Sequence, residues 1–406
     1  MNRNNLVIDI EAILDQTKSP ITDDCCIYWV PYYVREINPD AYTPKIISIG
    51  PLHHFDQRLQ NMEKCKRAYF KQFVSRAKNK LEDLINTVEN EEPRLRQCYS
   101  ENLEMNPYEL VKVILVDACF IVELFCRIYY NEWTRDDRRT FHALGSIRID
   151  LLLLENQVPF FILEKLYNLV LPSQHRNLPS FLQLSIKYFS YYNRQNLEPS
   201  FIICHFTDLL RTFHLQHPRP ERKNYNYRDI PTASAFKEAR GKFQINKSNC
   251  MLDLQFSKGC LKIPYIQVAD DTEILFRNML ALEQCHYRRD RNIADFVYLM
   301  DFLINTEKDV DVLVENGIFF NWLGDNDAVA KLFNSLGKGI MFDSKSRYSI
   351  LFDDMNIFYN DKWRQKWTTL KRDYCNTSWR TLATCAAIAI VFLTIVQTIC
   401  SILQIV

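Results

Sequence analysis

The chain has 406 residues, 47% of them hydrophobic, enough for one large core or two closely packed sub-domains and too many for a disordered chain. Fifty basic residues against 49 acidic ones give a formal charge of +1, so no global field draws the protein to nucleic acid, and no nucleic-acid partner is expected. Only eight glycines are present, which leaves few backbone cradles for phosphate. The nearest, Gly337-Lys338-Gly339, has Phe342 where a dinucleotide fingerprint needs a third glycine, and reads as a helix stop.

Residues 1–24 are polar and read as a flexible lead-in to a helical globular domain spanning 25–375. Residues 25–60 are predicted as short extended pieces broken by Pro31, Pro39, Pro44 and Pro51. Helical periodicity runs from Met62 to about Val88. Two strongly apolar runs, Pro107 to Tyr130 and Ile147 to Val170, read as central helices of a bundle. Both carry internal charges, such as Asp117, Glu123 and Glu155, that argue against a membrane span. Further helices are predicted at 178–193 and 201–216. The polar, basic stretch from His217 to Asp229 is an exposed loop and the best internal sub-domain boundary. After it come a short helix at 232–240 and strands near 242–246, 250–256 and 260–268, with a turn at Ser257-Lys258-Gly259. Asp270 and Glu273 have capping-box spacing for a helix through Cys285. Helices at 291–305, 325–336 and 346–374 complete the domain. The expected fold is therefore mainly α, a large multi-helix globular domain with a small β element.

The C-terminal segment differs. No charged residue lies between Thr381 and Val406, and residues 381–403 suffice for one transmembrane helix, the apolar run Leu382 to Leu403 alone being roughly 33 Å long at 1.5 Å per residue. Thr394, Gln397, Thr398 and Ser401 share one face of it, extended by the small pair Ala383 and Ala387. This is the candidate face for association with a second copy or another single-span protein.

The chemistry-bearing residues do not form a recognised set. Thirteen cysteines without metal-type spacing read as buried free thiols in a reducing compartment. Adjacent His53 and His54 point opposite ways in an extended segment, and His214 and His217 lack a completing ligand, so no metal residue is assigned. Asp117, Glu123, Glu155, Asp208, Glu283 and Asp301 lie in apolar surroundings and read as members of structural networks with basic partners such as Arg277, Arg35 or Arg127. The patch Arg288-Arg289 with Arg291 beside Tyr287 reads as a solvated helix boundary. No nucleophile elbow or kinase set occurs. No catalytic residue and no cofactor are assigned.

A resemblance adds to this reading. Ile27-Tyr28-Trp29-Val30-Pro31 with Arg35, the run Ala41 through His54, Met62-Glu63-Lys64, and Asp117 through Leu124 occur in order. They are followed by Asp150 through Phe161 (DLLLLENQVPFF), Ile263-Pro264, and Asp270 with Thr272-Glu273. Phe276-Arg277-Asn278, Tyr298 through Asp301 and Gly317 through Leu336 close the series. Together they are similar to the plant family known as domain of unknown function 247. Phe55, after the paired histidines, and Asn376-Thr377-Ser378-Trp379 depart from its pattern. The resemblance implies a large helical domain with a C-terminal membrane helix and no established enzymatic activity. Some grass relatives are implicated in pollen–stigma self-incompatibility, which implies recognition or signalling. The function expected is thus a membrane-anchored recognition or signalling scaffold acting through protein–protein contacts. The alternative is a membrane-tethered, hydrolase-like enzyme using buried carboxylates or His53 and His54.

Orientation follows from charge. Lys362, Arg364, Lys366, Lys371, Arg372 and Arg380 precede the span, opposed only by Asp361 and Asp373. The positive-inside bias places the large domain in the cytosol, and the plasma membrane is the expected membrane. The opposite orientation exposes acceptor sequons at Asn246 and Asn376 to glycosylation. The native protein is therefore expected to show no glycosidase-sensitive mass shift, and a shift overturns the cytosolic assignment.

Overall fold

The computed structural model describes residues 24–78, 80–133, 138–170, 178–200, 202–225, 230–341, 343–361 and 378–405. The lead-in, most of the basic stretch before the span, and Asn376 lie outside these residues.

Helix α4 (Pro107–Tyr130) is the axis of the first half. Asn106 caps it by accepting the Glu109 N–H at 2.9 Å, Pro107 fills its first position, and Asn131 ends it in the left-handed conformation. It is apolar almost all round and is accordingly enclosed. Against it pack α2 (Gln60–Arg76), α3 (Leu81–Gln97), α6 (Phe160–Val170) and α7 (Phe181–Tyr188). The helix expected from Met62 to Val88 is two helices, because the chain turns after Arg76 with Lys78 at φ 52°.

The run expected as one helix from Ile147 to Val170 is also broken. Helix α5 (Arg138–Asp150) stops at Asp150, and α6 starts only after Pro159. Between them, Leu151–Val158 is irregular and fully enclosed. Residues 25–60 form no strand. They hold α1 (Tyr32–Arg35), two single 3-10 turns, and one parallel bridge from Ile27 to Tyr99.

The second half is built on α10 (Thr272–Cys285), which packs against α8 (Phe206–His214), α11 (Asn292–Leu303) and α13 (Asn326–Leu336). The expected capping box at Asp270 is absent. The helix starts at Thr272, while Glu273 is engaged by Asn38 (2.8 Å) and Arg277 (2.7 Å). Helix α9 (Ala233–Glu238) leads to β2 (Lys242–Asn246), β3 (Gln255–Ser257) and β4 (Cys260–Pro264). These form a sheet of order β2-β4-β3, with β2 parallel and β3 antiparallel to β4. Strand β3 is shorter than expected because Cys250–Leu254 makes turns. Strands β5 (Ile266–Val268) and β6 (Phe319–Asn321) pair in parallel. Helix α12 (Glu307–Glu315) precedes β6.

The expected boundary at 217–229 does not divide the core, which runs through both halves. There β1 (Lys223–Asn224) pairs with β7 (Lys345–Ser346), and Arg222 binds Asp295 and Asp343 at 2.8 and 3.1 Å. Helix α14 (Ser349–Tyr359) follows. Last is α15 (Ser378–Ile405), in which Thr381–Cys400 has mean hydropathy 2.3 and no buried residue. One helix is thus long and apolar enough to cross a membrane.

His205 ties the start of α8 to the N-terminal strip. Its Nδ1 accepts the Asp208 N–H at the start of α8, and its Nε2 donates to the Cys26 carbonyl at 3.0 Å. That arrangement needs the neutral ring, and burial pushes its pKa down to about 4. Between 6.5 and 4 the unfolded chain takes a proton that the folded one refuses. Stability from this group is therefore full above pH 6.5 and lost as pH falls, by up to about 3 kcal/mol. Chemical denaturation at pH 7 and pH 5 checks this: His205→Asn, which can still cap, should reduce the loss seen in the wild type.

Candidate functional site

The strip from Cys25 to Glu63 carries Arg35, His53 and His54, and buried polar side chains from elsewhere hold it. Asp150 accepts the N–H groups of Lys45, Ile46 and Ile47 at 2.7–2.9 Å. Asn156 accepts from Ile49 N–H and donates to the carbonyls of Ile47 and Asp150. Gln157 donates to the Leu151 and Leu153 carbonyls and accepts from Phe206 N–H. Asn278 accepts from Leu154 N–H and donates to the Ala41 carbonyl. Gly50 sits at φ +76°, where a Cβ would lie 2.4 Å from the Gln157 carbonyl oxygen, so this approach requires glycine.

Glu155 is closed off. It accepts from Val30 N–H (3.0 Å), from His53 Nε2 (3.0 Å) and from Arg35. Trp29 stacks on His53 with ring centroids 5.3 Å apart, and the Arg35 guanidinium lies 5.1 Å from the Trp29 ring. Trp29, Tyr32 and Tyr33 are exposed beside this cluster.

His54 faces elsewhere. With Phe55, Gln60, Glu63, Arg67, Lys112 and Asp117 it lines a cavity of about 190 Å³. Its Nδ1 is buried without a hydrogen-bond partner, and burial lowers its pKa. Asp117 accepts from Lys66 Nζ at 2.5 Å and from Gly50 N–H at 2.8 Å. Lys66 also binds Glu63 and donates to the Ser48 carbonyl at 2.8 Å. Burial opposes the Lys66 charge, yet the Asp117 and Glu63 carboxylates outweigh it and its pKa rises. For Asp117 burial wins over Lys66, and its pKa is pushed up to about 6. The pair is ionised at neutral pH, and Asp117 yields first on acidification.

Of the remaining acids, Glu123, Glu283 and Asp208 are likewise engaged, whereas Asp301, partly buried on α11, has no ion pair among the described residues. Glu123 lies between Arg76 and Arg127 at 3.0 and 2.9 Å. Glu283 binds Arg211 at 2.9 Å and accepts from the N–H groups of Ile293 and Ala294. Asp208 accepts from Tyr287 OH at 2.7 Å. Arg211, not Arg288, Arg289 or Arg291, covers the Tyr287 ring, 4.0 Å from its centroid. Helix α8 ends at His214, so His217 does not share its face. The carboxylates and histidines do not converge on one open pocket: Glu155 and His53 form one site, Asp117 and His54 another. The expected basic partner Arg35 is found. Lys66, Arg76, Arg211, Asn156, Gln157 and Asn278 were not singled out for these roles. The spacing Glu63-x-x-Lys66 was the available signal for one of them.

On α15, the Thr394 and Thr398 hydroxyls donate to the carbonyls of Ile390 and Thr394, at 2.8 and 2.7 Å. Asn246 Nδ2 donates to the Asp253 carbonyl at 2.6 Å. Among the described residues, no group of three or more metal-type ligands is gathered. The twelve described cysteines are free thiols, six of them buried, with Cys385 and Cys400 exposed on α15.

Residues 27–393 match the family model described as a plant protein of unknown function, DUF247. The chain belongs to the DUF247 family. Within this family's reach, UPF0481 protein At3g47200 of Arabidopsis thaliana is 28% identical, over 94% of this chain and 87% of its own length. Putative UPF0481 protein At3g02645, from the same plant, is 21% identical over 91% and 89% respectively. No solved structure matches the chain.

In this DUF247 chain, Asp117→Ala leaves the buried Lys66 ammonium with Glu63 but without its enclosed partner, and leaves Gly50 N–H unmet, and should cost about 3–5 kcal/mol. Asp117→Leu combined with Lys66→Met removes both charges and should recover most of that loss. Denaturant unfolding of the full chain in lipid nanodiscs gives both numbers; a near-zero effect of the single change contradicts the pairing.

Proposed function

We propose that this protein is a membrane-anchored recognition or signalling scaffold whose large domain acts in the cytosol through protein–protein contacts. The observation that carries the reading is the closure of its buried acids. Glu155, Glu123 and Glu283 are each bound by arginine, and Asp117 by lysine, so their charge is spent on holding segments in place. Glu155 and Asp117 hold, through Val30 N–H and Gly50 N–H, a surface strip with Trp29, Tyr32, Tyr33 and Phe55 facing outward, aromatic residue types enriched at interfaces. The anchor is α15, with none of its apolar span covered. Its Ala383, Ala387 and Gln397 face is proposed to pair two copies. Thr394 and Thr398 contribute less, since their hydroxyls are already bonded within the helix.

A second reading is favoured by one observation. Asp117 and His54 line the same cavity, so a hydrolase-like acid–base pair is the alternative.

Proximity labelling in plant cells tests the proposal. Full-length protein is compared with residues 378–406 alone, in cells carrying a second, differently tagged copy. Neighbours that require the domain and fall several-fold on Trp29→Ala with Tyr32→Ala are expected; identical neighbour sets for the full chain and the anchor overturn the scaffold reading. Capture of the second copy should fall with Ala387→Leu or Gln397→Leu, and unchanged capture makes the helix a plain anchor.

A further inference from the structure

Three thiols far apart in the sequence meet beside the root of the Trp29 strip. Cys26 belongs to that strip, Cys98 follows α3, and Cys204 precedes α8. With Ile27 and Tyr99, Cys26 and Cys98 form a small buried cluster of their own, on which Cys204 packs. Backbone contacts fix all three. Cys26 N–H donates to the Cys98 carbonyl at 3.0 Å, and Ile27 bridges Tyr99 in parallel. The Cys26 carbonyl accepts from His205 at 3.0 Å, and the Cys204 carbonyl accepts from Phe160 N–H at 2.7 Å. Cys204 N–H donates to Asp208 at 3.0 Å. The Cys26 thiol lies against both the Cys204 and the Cys98 thiols.

The three differ in access. Cys26 and Cys98 are only 5% and 3% exposed, whereas Cys204 is partly exposed. Contact with the Cys204 and Cys98 thiols, together with burial, holds the Cys26 thiol well above the usual range. It therefore keeps its proton and is a poor target for reagents in solution. A neighbouring sulfur that has already been oxidised is different, because it is in contact and no encounter is needed. A partly exposed thiol beside a second one that can resolve it is the arrangement of a reversible oxidation site. Thiol reactivity depends on access, and the crowding here favours an oxidant hardly larger than water.

We propose that hydrogen peroxide oxidises Cys204 and that Cys26 closes a disulfide with it. The Cys204 sulfur takes one peroxide oxygen, the O–O bond breaks, and water leaves, giving a sulfenic acid. The Cys26 sulfur then attacks the Cys204 sulfur. The S–O bond breaks, the S–S bond forms, and the departing hydroxide leaves with the Cys26 proton as a second water. Two thiols and one peroxide thus become one disulfide and two waters. Cys98 receives the bond by exchange: its sulfur attacks that of Cys26, and Cys204 leaves, taking the Cys98 proton. The site does not depend on the scaffold reading.

The experiment treats the full chain in lipid nanodiscs with hydrogen peroxide, alkylates the remaining thiols, and reads unreduced peptides by mass spectrometry. A peptide linking Cys26 to Cys204 or Cys98 should form on the order of tenfold faster than Cys119, enclosed on α4, is oxidised. Dithiothreitol should reverse the link. Cys204→Ser should slow it about tenfold, because the entry thiol is gone. No link at Cys26, or one that forms no faster than Cys119 reacts, overturns the proposal, as does an unchanged rate in Cys204→Ser. Should Cys204→Ser fail to fold, the order of products in the wild type decides: the Cys26–Cys204 link must precede the Cys26–Cys98 link.

Discussion

A non-helical backbone segment can run through a protein interior only if each of its N–H and C=O groups finds a partner there. Leu151–Val158 is such a segment, and the strip from Lys45 to Gly50 beside it is another. Neither belongs to a sheet. Four side chains, Asp150, Asn156, Gln157 and Asn278, supply the missing partners. An amide can donate twice and accept twice, so one Asn or Gln replaces several rungs of a regular ladder. The constraint also fixes Gly50, because the strip approaches the Gln157 carbonyl too closely for any side chain.

The ion pairs extend the same device. Arg35–Glu155, Lys66–Asp117 and Arg211–Glu283 each also bind backbone groups: Val30 N–H, the Ser48 carbonyl with Gly50 N–H, and the N–H groups that open α11. Buried pairs are seldom a net gain over apolar packing, but breaking one is costly. Their value here is geometric, since each charge specifies where a loop must lie. A partly satisfied network would be worse than none; outside these pairs, His54 Nδ1, His214 Nε2, Ser48 Oγ and Tyr188 OH are among the buried side-chain atoms without a hydrogen-bond partner in the described residues.

Regular structure was legible in the sequence wherever period and punctuation agreed. Helix α4 follows from the Asn106-Pro107 start and the apolar run behind it. Pro159 marks a break that the apolar pattern hides, because an irregular buried segment is as apolar as a buried helix. Thr306 with Asp309 carries the capping spacing that announces α12. The Lys78 turn has no glycine or proline to mark it. At the site, Asp117 announces itself as an acid in apolar surroundings. Its partner Lys66 does not, because a lysine on an amphipathic helix looks like a solvated one until the neighbouring helix covers it. Asn156, Gln157 and Asn278 are harder still: their roles exist only through contacts with chain segments roughly 50 to 240 residues away.

Those distances bear on how the chain is made. Leu154 N–H waits for Asn278, and so does the Ala41 carbonyl. A nascent chain emerges from its N-terminus onward, so every intermediate that stops short of residue 278 carries the 41–50 strip and the 151–158 segment with polar backbone unmatched. The first half cannot close by itself as a finished unit, although α2, α3 and α4 can already pack. Synthesis reaches Asn278 about a hundred residues before it reaches the apolar span of α15. The order of the sequence thus places every residue of the buried core, as far as Met355, ahead of the apolar helix α15.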